Sequence, residues 1–446
     1  MKGSTALRTV AFHTLGCKVN QYDTEAIWQL FQANGYTQVD FEAQADVYVI
    51  NTCTVTHEGD RKSRQMIRRA TRNNPESVVV VTGCYAQMAP GEVLSIAGVD
   101  LVVGNQYRAQ MVDMVEKVRL ERMPYNAVSN ILTQKEFEDL DVPVFMDRTR
   151  ASLKIEDGCN HFCTFCIIPY ARGLVRSRKP ESVLFQARRL ADAGYQEIVL
   201  TGIHTGGYGE DLEGYTLADL LCDMENIDNL LRIRISSIEA SEISDDLLLA
   251  LSRSKKVCRH LHIPLQAGHS EVLRRMNRHY TIEEYAKTLQ KVRQALPEVA
   301  ITSDIIVGFP GETDEFFETT VQFVRAQQFA DLHVFPYSIR KGTPAAKFTD
   351  QIPEDVKHQR VSRMIALADE LSLAYAKKWV ARPLAVIAEE VIDIDHVQHV
   401  AGHADNYLKV AFPGDETLLG QVCTIQIMHP DKELCLGAMQ KTAYAM

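Results

Sequence analysis

The residues Cys159-Asn160-His161-Phe162-Cys163-Thr164-Phe165-Cys166 place three thiols on one short stretch with the spacing CxxxCxxC. Three thiolates on one loop can hold three irons of a cubane [4Fe–4S] cluster, leaving the fourth iron free to bind something other than protein. A structural zinc site normally closes with four ligands, and no fourth cysteine follows here at finger spacing. His161 points away along the loop by its position. An open-site cluster therefore suits this stretch better than zinc or a plain redox cluster.

A second triad has no motif spacing. Cys17, Cys53 and Cys84 are 36 and 31 residues apart, which matches no finger or ferredoxin pattern. Each, however, sits just beyond the end of an expected strand: Thr14-Leu15-Gly16-Cys17, Ile50-Asn51-Thr52-Cys53 and Val81-Thr82-Gly83-Cys84. In an open parallel sheet those strand ends share one edge, where ligand sites gather. The alternative is three buried cysteines acting as small hydrophobes. Glycine before Cys17 and Cys84 lets backbone approach a bulky group closely. Cys222, Cys258, Cys423 and Cys435 have no such placement and read as structural or incidental thiols.

The elements that must position these cysteines fall into three textures. Up to about residue 120, β-branched runs at 8–14, 46–50, 78–82 and 101–103 read as buried strands. Helical patterns at 21–34, 60–73 and 90–97 lie between them. This alternation implies a flavodoxin-like α/β domain with a parallel sheet covered on both faces. The polar piece 133–150 reads as a linker. A second alternation follows, with strands at 152–156, 197–201, 231–236, 261–264, 300–307 and 331–336. Helices at 182–193, 216–225, 244–252, 282–295 and 314–327 separate them, and a long helix at 355–378 closes the series. Six strands, each followed by a helix, suit a partial (β/α)6 barrel whose site lies at the carboxyl ends of the strands. From residue 383 the texture is all-β, with strands at 384–392, 407–412, 421–427 and 433–438, as in a small nucleic-acid-binding barrel. The expected division is 1–132, a linker at 133–150, a core at 151–380 and a tail at 381–446.

Composition sets the remaining bounds. The chain has 446 residues, 46% hydrophobic and 24% charged, with no apolar window long enough to span a membrane. The start, 1–10, carries no apolar run before a small-residue cleavage site, so a cytoplasmic protein with reduced, metal-binding cysteines is expected. The net charge of −10 argues against a general nucleic-acid binder but leaves room for a local basic patch. Arg61, Lys62, Arg64, Arg68, Arg69 and Arg72 crowd one helix behind the Cys53 loop, and Arg172, Arg176, Arg178 and Lys179 follow the CxxxCxxC loop. Each group reads either as a solvated face or as a phosphate contact.

The stretch from Glu156-Asp157-Gly158 through Cys166-Ile167-Ile168-Pro169, with Arg172-Gly173 just after, resembles the radical S-adenosylmethionine methylthiotransferases. The resemblance runs over essentially the whole chain. It includes Leu265-Gln266-Ala267-Gly268, Arg274-Arg275-Met276-Asn277-Arg278, Ser303-Asp304 through Gly311-Glu312-Thr313, and Phe335-Pro336-Tyr337-Ser338. Ala267 stands where many relatives carry Ser, and the tail resembles the TRAM domain, an RNA-binding barrel. The resemblance implies that Cys159, Cys163 and Cys166 hold a cluster whose open iron chelates S-adenosylmethionine. That molecule is then cleaved to a 5′-deoxyadenosyl radical. It implies that Cys17, Cys53 and Cys84 hold an auxiliary [4Fe–4S] cluster that delivers sulfur. Phe165 is expected to shield the adenine, Gly202 to border the amino group, and Glu239 to contact the ribose of S-adenosylmethionine. His204 and Asp304 read as hydrogen-bond fixtures.

The implied reaction is radical methylthiolation of C2 of a tRNA adenosine, with the substrate between the two open irons. The implied partners are the tRNA anticodon loop and an electron donor such as flavodoxin or ferredoxin, and the enzyme is expected to be a monomer. The stretch Cys17-Lys18-Val19-Asn20-Gln21-Tyr22-Asp23 resembles the branch acting on N6-threonylcarbamoyladenosine at position 37. The isopentenyladenosine branch typically has Gln-Met-Asn after this cysteine, and the branch acting on a ribosomal-protein aspartate has Pro-Lys-Asn. Lys18 favours a substrate carboxylate on charge grounds. Its alternative is a solvated loop lysine. Two alternatives stay open for the whole chain: another methylthiotransferase substrate, and a non-catalytic iron–sulfur protein that binds RNA.

Overall fold

The computed structural model describes residues 8–142 and 149–440; part of the expected linker, including Pro143, lies outside the described residues. The first sheet contains strands β1 (Arg8–Thr14), β2 (Tyr36–Gln38), β3 (Val47–Thr52), β4 (Val78–Gly83), β5 (Leu101–Val102) and β6 (Tyr125–Asn126). Its order is β2-β1-β3-β4-β5-β6, and every pairing is parallel. Every residue of β3 and β4 is buried, as expected of β-branched runs covered on both faces. Alternate side chains feed two cores: Val10, Val47, Val49 and Val80 on one face, Ala11, Tyr48, Ile50 and Val81 on the other. The helix Lys18–Ala33 seals the first with Ile27, Trp28 and Phe31. The helix His57–Asn73 buries Ile67 and Ala70 in the second, with Met66 packed against it. The Thr56 hydroxyl caps its start by accepting from the Gly59 N–H. In this order the chain reverses direction across the sheet between β1 and β3, which opens a crevice at their carboxyl ends.

The second alternation forms an open barrel. Strands β7 (Ala151–Lys154), β10 (Glu197–Thr201) and β11 (Arg232–Ile235) pair in the order β11-β10-β7, with β8 (Glu156–Asp157) and β9 (Arg176–Ser177) forming a small antiparallel ribbon. Strands β12 (His260–His262), β13 (Ala300–Val307) and β14 (Asp331–Pro336) form the other half. A parallel bridge between Ile233 and Val257 joins the halves, so six parallel strands curve without a recorded pairing of β14 to β7. One large core, including Leu153, Leu200, Ile233, Leu261 and Ile305, lies between these strands and their outer helices. β10, β13 and β14 occupy the expected spans, while the strand expected at 261–264 begins and ends earlier.

The helix Glu354–Lys377 leads into a closed barrel of β15 (Pro383–Ile394), β16 (Val397–Ala404), β17 (Lys409–Pro413), β18 (Val422–His429) and β19 (Cys435–Met439). The order is β15-β16-β17-β19-β18, consistent with the expected TRAM-type tail. Tyr375, Ala376 and Trp379 share its core with Val386, Val400, Val410 and Ile425. β16 escapes sequence reading because Val397-Gln398-His399 and Gly402-His403 dilute its apolar alternation. Among the described residues, no helix is long and apolar enough to cross a membrane.

The barrel closes most tightly at Gly402, where an added Cβ would lie 1.7 Å from the Ile387 carbonyl oxygen. Gly402→Val is expected to cost about 2–3 kcal/mol, the scale of overpacking a filled site. The measurement is the urea midpoint followed by Trp379 fluorescence; an unchanged midpoint contradicts the close approach.

Candidate functional site

The three scattered cysteines meet at one sheet edge. β1, β3 and β4 deliver Cys17, Cys53 and Cys84 to the same ends of neighbouring strands. Gly16 has φ +102°, and a Cβ there would lie 2.9 Å from Cys53 Cβ and 3.1 Å from its Sγ, so only glycine lets the two loops touch. The Asn20 side-chain amide ties these loops together by donating to the Leu15 carbonyl at 2.7 Å and the Thr52 carbonyl at 3.0 Å. Cys17 precedes one helix, and Cys84 begins the short helix Cys84–Met88. Burial pushes the Cys53 thiol up to about 11 and raises that of Cys84 as well. Without a cation these groups stay protonated, and metal coordination is what removes their protons.

The CxxxCxxC loop is pinned by backbone and by one asparagine. The Cys159 N–H donates to the Gly173 carbonyl at 3.0 Å, and the Cys166 N–H to the Cys163 carbonyl at 2.9 Å. Asn277 donates to the carbonyls of His161 at 3.1 Å and Phe162 at 3.2 Å. Burial raises all three thiols, that of Cys166 to about 12. Arg278 donates to Cys163 Sγ at 3.3 Å and is ion-paired with Glu239. Glu239 thus holds an arginine at the cysteine loop, in addition to whatever it does for a ligand.

Among the described residues, the groups of three whose ligand atoms lie within 4.8 Å of one another are His161/His204/Glu242 and His262/Asp304/His333. Neither cysteine triad belongs to them. A single zinc ion would draw its sulfurs closer than that, since Zn–S bonds are about 2.3 Å.

Gly202, at the end of β10, has Glu156 lying over it: an added Cβ would be 1.9 Å from Glu156 Oε1. Glu156 is fully buried and burial pushes it up to about 8. Its Oε1 accepts the His204 N–H at 2.5 Å, while Oε2 has no partner among the described residues. An unpartnered buried carboxyl oxygen suits a cationic ligand group. Phe165 is half-buried and meets the Phe309 ring edge-on at 6.4 Å. His204 and His161 converge on Glu242, which they hold down at about 2 against its burial, so His204 is a fixture, as expected.

The two triads are joined by buried charge. Arg172, with no exposed surface, reaches Cys84 Sγ with Nε at 3.4 Å and Asp23 with Nη1 at 2.8 Å. Lys154 bridges Asp23 at 2.8 Å and Asp157 at 2.6 Å, and Arg108 meets Asp23 at 2.5 Å. The phosphate reading of Arg172, Arg176 and Arg178 is therefore corrected, because all three are buried in this junction or beside it. Lys179 remains exposed. On the helix behind Cys53, Arg61 and Arg69 pair with Glu58 and Glu42 on an exposed face. A second tie runs from Arg340 to Asp60 at 2.9 Å and to Thr54 at 2.6 Å. Asp23, Arg108 and Lys154 were not singled out by sequence; a lysine inside the buried strand Ala151–Lys154 is the one signal that pointed there.

Between the triads lies a cavity of about 310 Å³. Val55 and Thr56 line it from the Cys53 loop, Phe165 and Cys166 from the other loop, and Asp304 and Phe335 from the barrel strands. Of the six cysteines only Cys166 lines it, and the first domain reaches it through Val55 and Thr56 just after Cys53.

Comparisons with known proteins place the chain among relatives. Residues 9–104 match the family described as uncharacterized protein family UPF0004, and residues 153–324 match the radical SAM superfamily. The chain is 56% identical to the threonylcarbamoyladenosine tRNA methylthiotransferase MtaB of Bacillus subtilis, over 95% of this chain and 94% of that one. It is 41% identical to the protein of the same name from Aquifex aeolicus, over 85% and 93%. Identity is 34% to a tRNA-2-methylthio-N(6)-dimethylallyladenosine synthase of Clostridium botulinum, over 96% of each. Among solved structures, the radical S-adenosylmethionine methyltransferase TsrM from Kitasatospora setae shares the fold, with TM-score 0.56, 15% identity, and coverage of 76% of this chain and 77% of that one.

The junction makes a quantitative demand on Asp23. Asp23→Asn leaves Lys154 and Arg172 on Asp157, with Arg108 keeping Glu138 at 2.8 Å, and is expected to cost about 3–5 kcal/mol. Despite burial, the neighbouring Arg108, Lys154 and Arg172 hold this carboxyl down at about 2, against about 4 in an unfolded chain. A depressed carboxyl stabilises the fold fully above pH ~4 and loses that contribution as pH falls toward 2. Urea midpoints between pH 7 and pH 3 should show an acid limb in the wild type that is weaker in Asp23→Asn; equal limbs would refute the role.

Proposed function

The chain belongs to the radical S-adenosylmethionine tRNA methylthiotransferases, and from that membership we propose that it converts N6-threonylcarbamoyladenosine at position 37 of tRNA to the 2-methylthio form. The observation that carries this reading is the cavity touched by Cys166 and Phe165 on one side and by Val55 and Thr56 of the Cys53 loop on the other. It is supported by 56% identity to a relative named for that nucleoside, against 34% to relatives named for the dimethylallyl one.

Membership in the radical SAM superfamily brings a [4Fe–4S] cluster and S-adenosylmethionine. Cys159, Cys163 and Cys166 are the ligands we assign to that cluster, and Cys17, Cys53 and Cys84 those of an auxiliary one. When bound, these groups supply a 5′-deoxyadenosyl radical and the transferred sulfur. The protein's own part is positioning. Glu156 Oε2 is free to meet the ammonium of S-adenosylmethionine beside Gly202, and Phe165 offers its ring to the adenine. Arg278 orients Cys163 and is itself held by the Glu239 carboxylate. Val55 and Phe335, both about half-exposed, form an apolar rim that a docked nucleoside would bury, excluding water from a reactive radical. C2 of adenine resists acid–base chemistry, so confinement matters more here than a proton shuttle.

On this reading residues 1–132 carry the auxiliary site, 151–380 the radical site and 381–446 an RNA-binding tail, with 133–150 as linker. The anticodon loop is the docking element, a flavodoxin or ferredoxin supplies electrons, and the enzyme works as a cytoplasmic monomer.

Two measurements test the assignment. After anaerobic reconstitution, about eight irons per chain are expected from two cubanes. Replacing Cys159, Cys163 and Cys166 by Ala should remove half the iron and all cleavage of S-adenosylmethionine. The triple Ala variant of Cys17, Cys53 and Cys84 should keep cleavage yet form no methylthiolated nucleoside. Mass spectrometry of tRNA nucleosides from cells lacking the gene should show loss of the 2-methylthio-threonylcarbamoyl nucleoside. Loss of the 2-methylthio-isopentenyl nucleoside instead would overturn the substrate.

A further inference from the structure

The second tie between the two domains carries more donors than it uses. Arg340 follows β14, and its Nη2 donates to the Thr54 hydroxyl at 2.6 Å and meets one Asp60 oxygen at 2.9 Å. The Thr54 hydroxyl donates to the other Asp60 oxygen at 2.7 Å, so both oxygens of that carboxylate are engaged. Nε and Nη1 of Arg340 are buried, and neither has a hydrogen-bond partner among the described residues. Together they carry three N–H groups. Arg340 is only 7% exposed, so bulk water does not serve these donors, and a guanidinium cannot shed its proton to be rid of them. The side chain also springs from a fixed turn. The Thr343 N–H and hydroxyl both donate to the Arg340 carbonyl, at 3.1 and 2.8 Å.

Arg340 lines the cavity of about 310 Å³ between the two cysteine loops. Its neighbours there offer a guanidinium little. Val55, Phe165, Ile306 and Phe335 are apolar. The carboxylate on that wall, Asp304, already accepts from His262 Nε2 at 3.2 Å and from His333 Nδ1 at 3.1 Å, one on each oxygen. Buried donors left unmade are costly, and donors on a cation make the stronger hydrogen bonds to oxyanions. A fixed guanidinium with spare N–H groups, bordering a largely apolar cavity, is completed by an oxyanion that arrives with the ligand.

We propose that Arg340 binds an oxyanion of the docked tRNA and so positions the target nucleoside in the cavity, while Asp60 and Thr54 hold the guanidinium from behind. This rests on the tRNA reading above. Two groups of the RNA offer that chemistry, the carboxylate of the N6 arm and a backbone phosphate beside the target adenosine, and the test separates the two sources.

The Kd of the reconstituted enzyme is measured for three anticodon stem-loop RNAs. One carries N6-threonylcarbamoyladenosine, one its methyl ester, and one the acid with neutral methylphosphonates on both sides of the target adenosine. Neutralising the oxyanion that Arg340 holds should weaken binding to the wild type by roughly 10- to 100-fold, the scale of hydrogen bonds to a charged group. Arg340→Lys keeps a cation for Asp60 but lacks the Nε and Nη1 donors, so that penalty should shrink toward one. It shrinks for the ester if the partner is the carboxylate, and for the methylphosphonate if it is a phosphate. Asp60→Asn removes the tie and leaves the spare donors, so it should keep the penalty. Iron content and S-adenosylmethionine cleavage report whether each variant is assembled. Equal penalties in the wild type and Arg340→Lys overturn the proposal, as does a wild type indifferent to both neutral RNAs. Loss of iron in Arg340→Lys makes the arginine a strut of the auxiliary site and overturns it too. A wild type that cleaves S-adenosylmethionine yet binds none of the three RNAs overturns the tRNA reading, and the proposal with it.

Discussion

Arg172 is the side chain on which the arrangement of both cysteine sites depends. It leaves the end of the CxxxCxxC region, crosses to the first sheet, and meets Cys84 and Asp23 with no surface exposed to water. A guanidinium cannot shed its proton to escape such a place, so it must be paired. Asp23 and Asp157 supply the pairing, and Lys154 and Arg108 complete a network of alternating charge. The network fastens the Cys84 loop of the first domain to the barrel beside the CxxxCxxC region.

A common device serves both cysteine sites. At each, one sulfur faces an arginine that a carboxylate also holds: Cys163 with Arg278, held by Glu239 and the Tyr280 hydroxyl, and Cys84 with Arg172, held by Asp23, Asp157 and the Asn20 amide oxygen. The carboxylates keep the cation from collapsing onto the sulfur, and the arginine keeps donors aimed at a group that burial would otherwise leave uncharged. Hydrogen bonds to sulfur are among the protein's means of setting a cluster's potential.

Much of the fold was legible because its strands are uniform. Val78–Gly83, Ala300–Val307 and Asp331–Pro336 are short, apolar or β-branched runs bounded by turns, and periodicity finds such runs. The convergence of Cys17, Cys53 and Cys84 followed from strand ends alone. What escaped did so for physical reasons. β16 hides because histidines and a glycine interrupt its alternation, and the helix Met111–Glu121 lies in a stretch that carried no sequence motif. Arg172, Arg176 and Arg178 read as surface charge because a one-dimensional pattern cannot show that their counter-ions are Asp23, Asp157 and Asp139, brought to them by the fold.

The charge network also bears on how such a chain can be inherited. Asp23 and Arg108 come from the first sheet's segment, Lys154, Asp157 and Arg172 from the barrel's. Neither segment can change one of these residues alone without burying an uncompensated charge. Recombination that joins the first segment of one ancestor to the barrel of another is therefore tolerated only when both carry the same pattern of signs. The network thus couples the two segments energetically, although each has a core of its own.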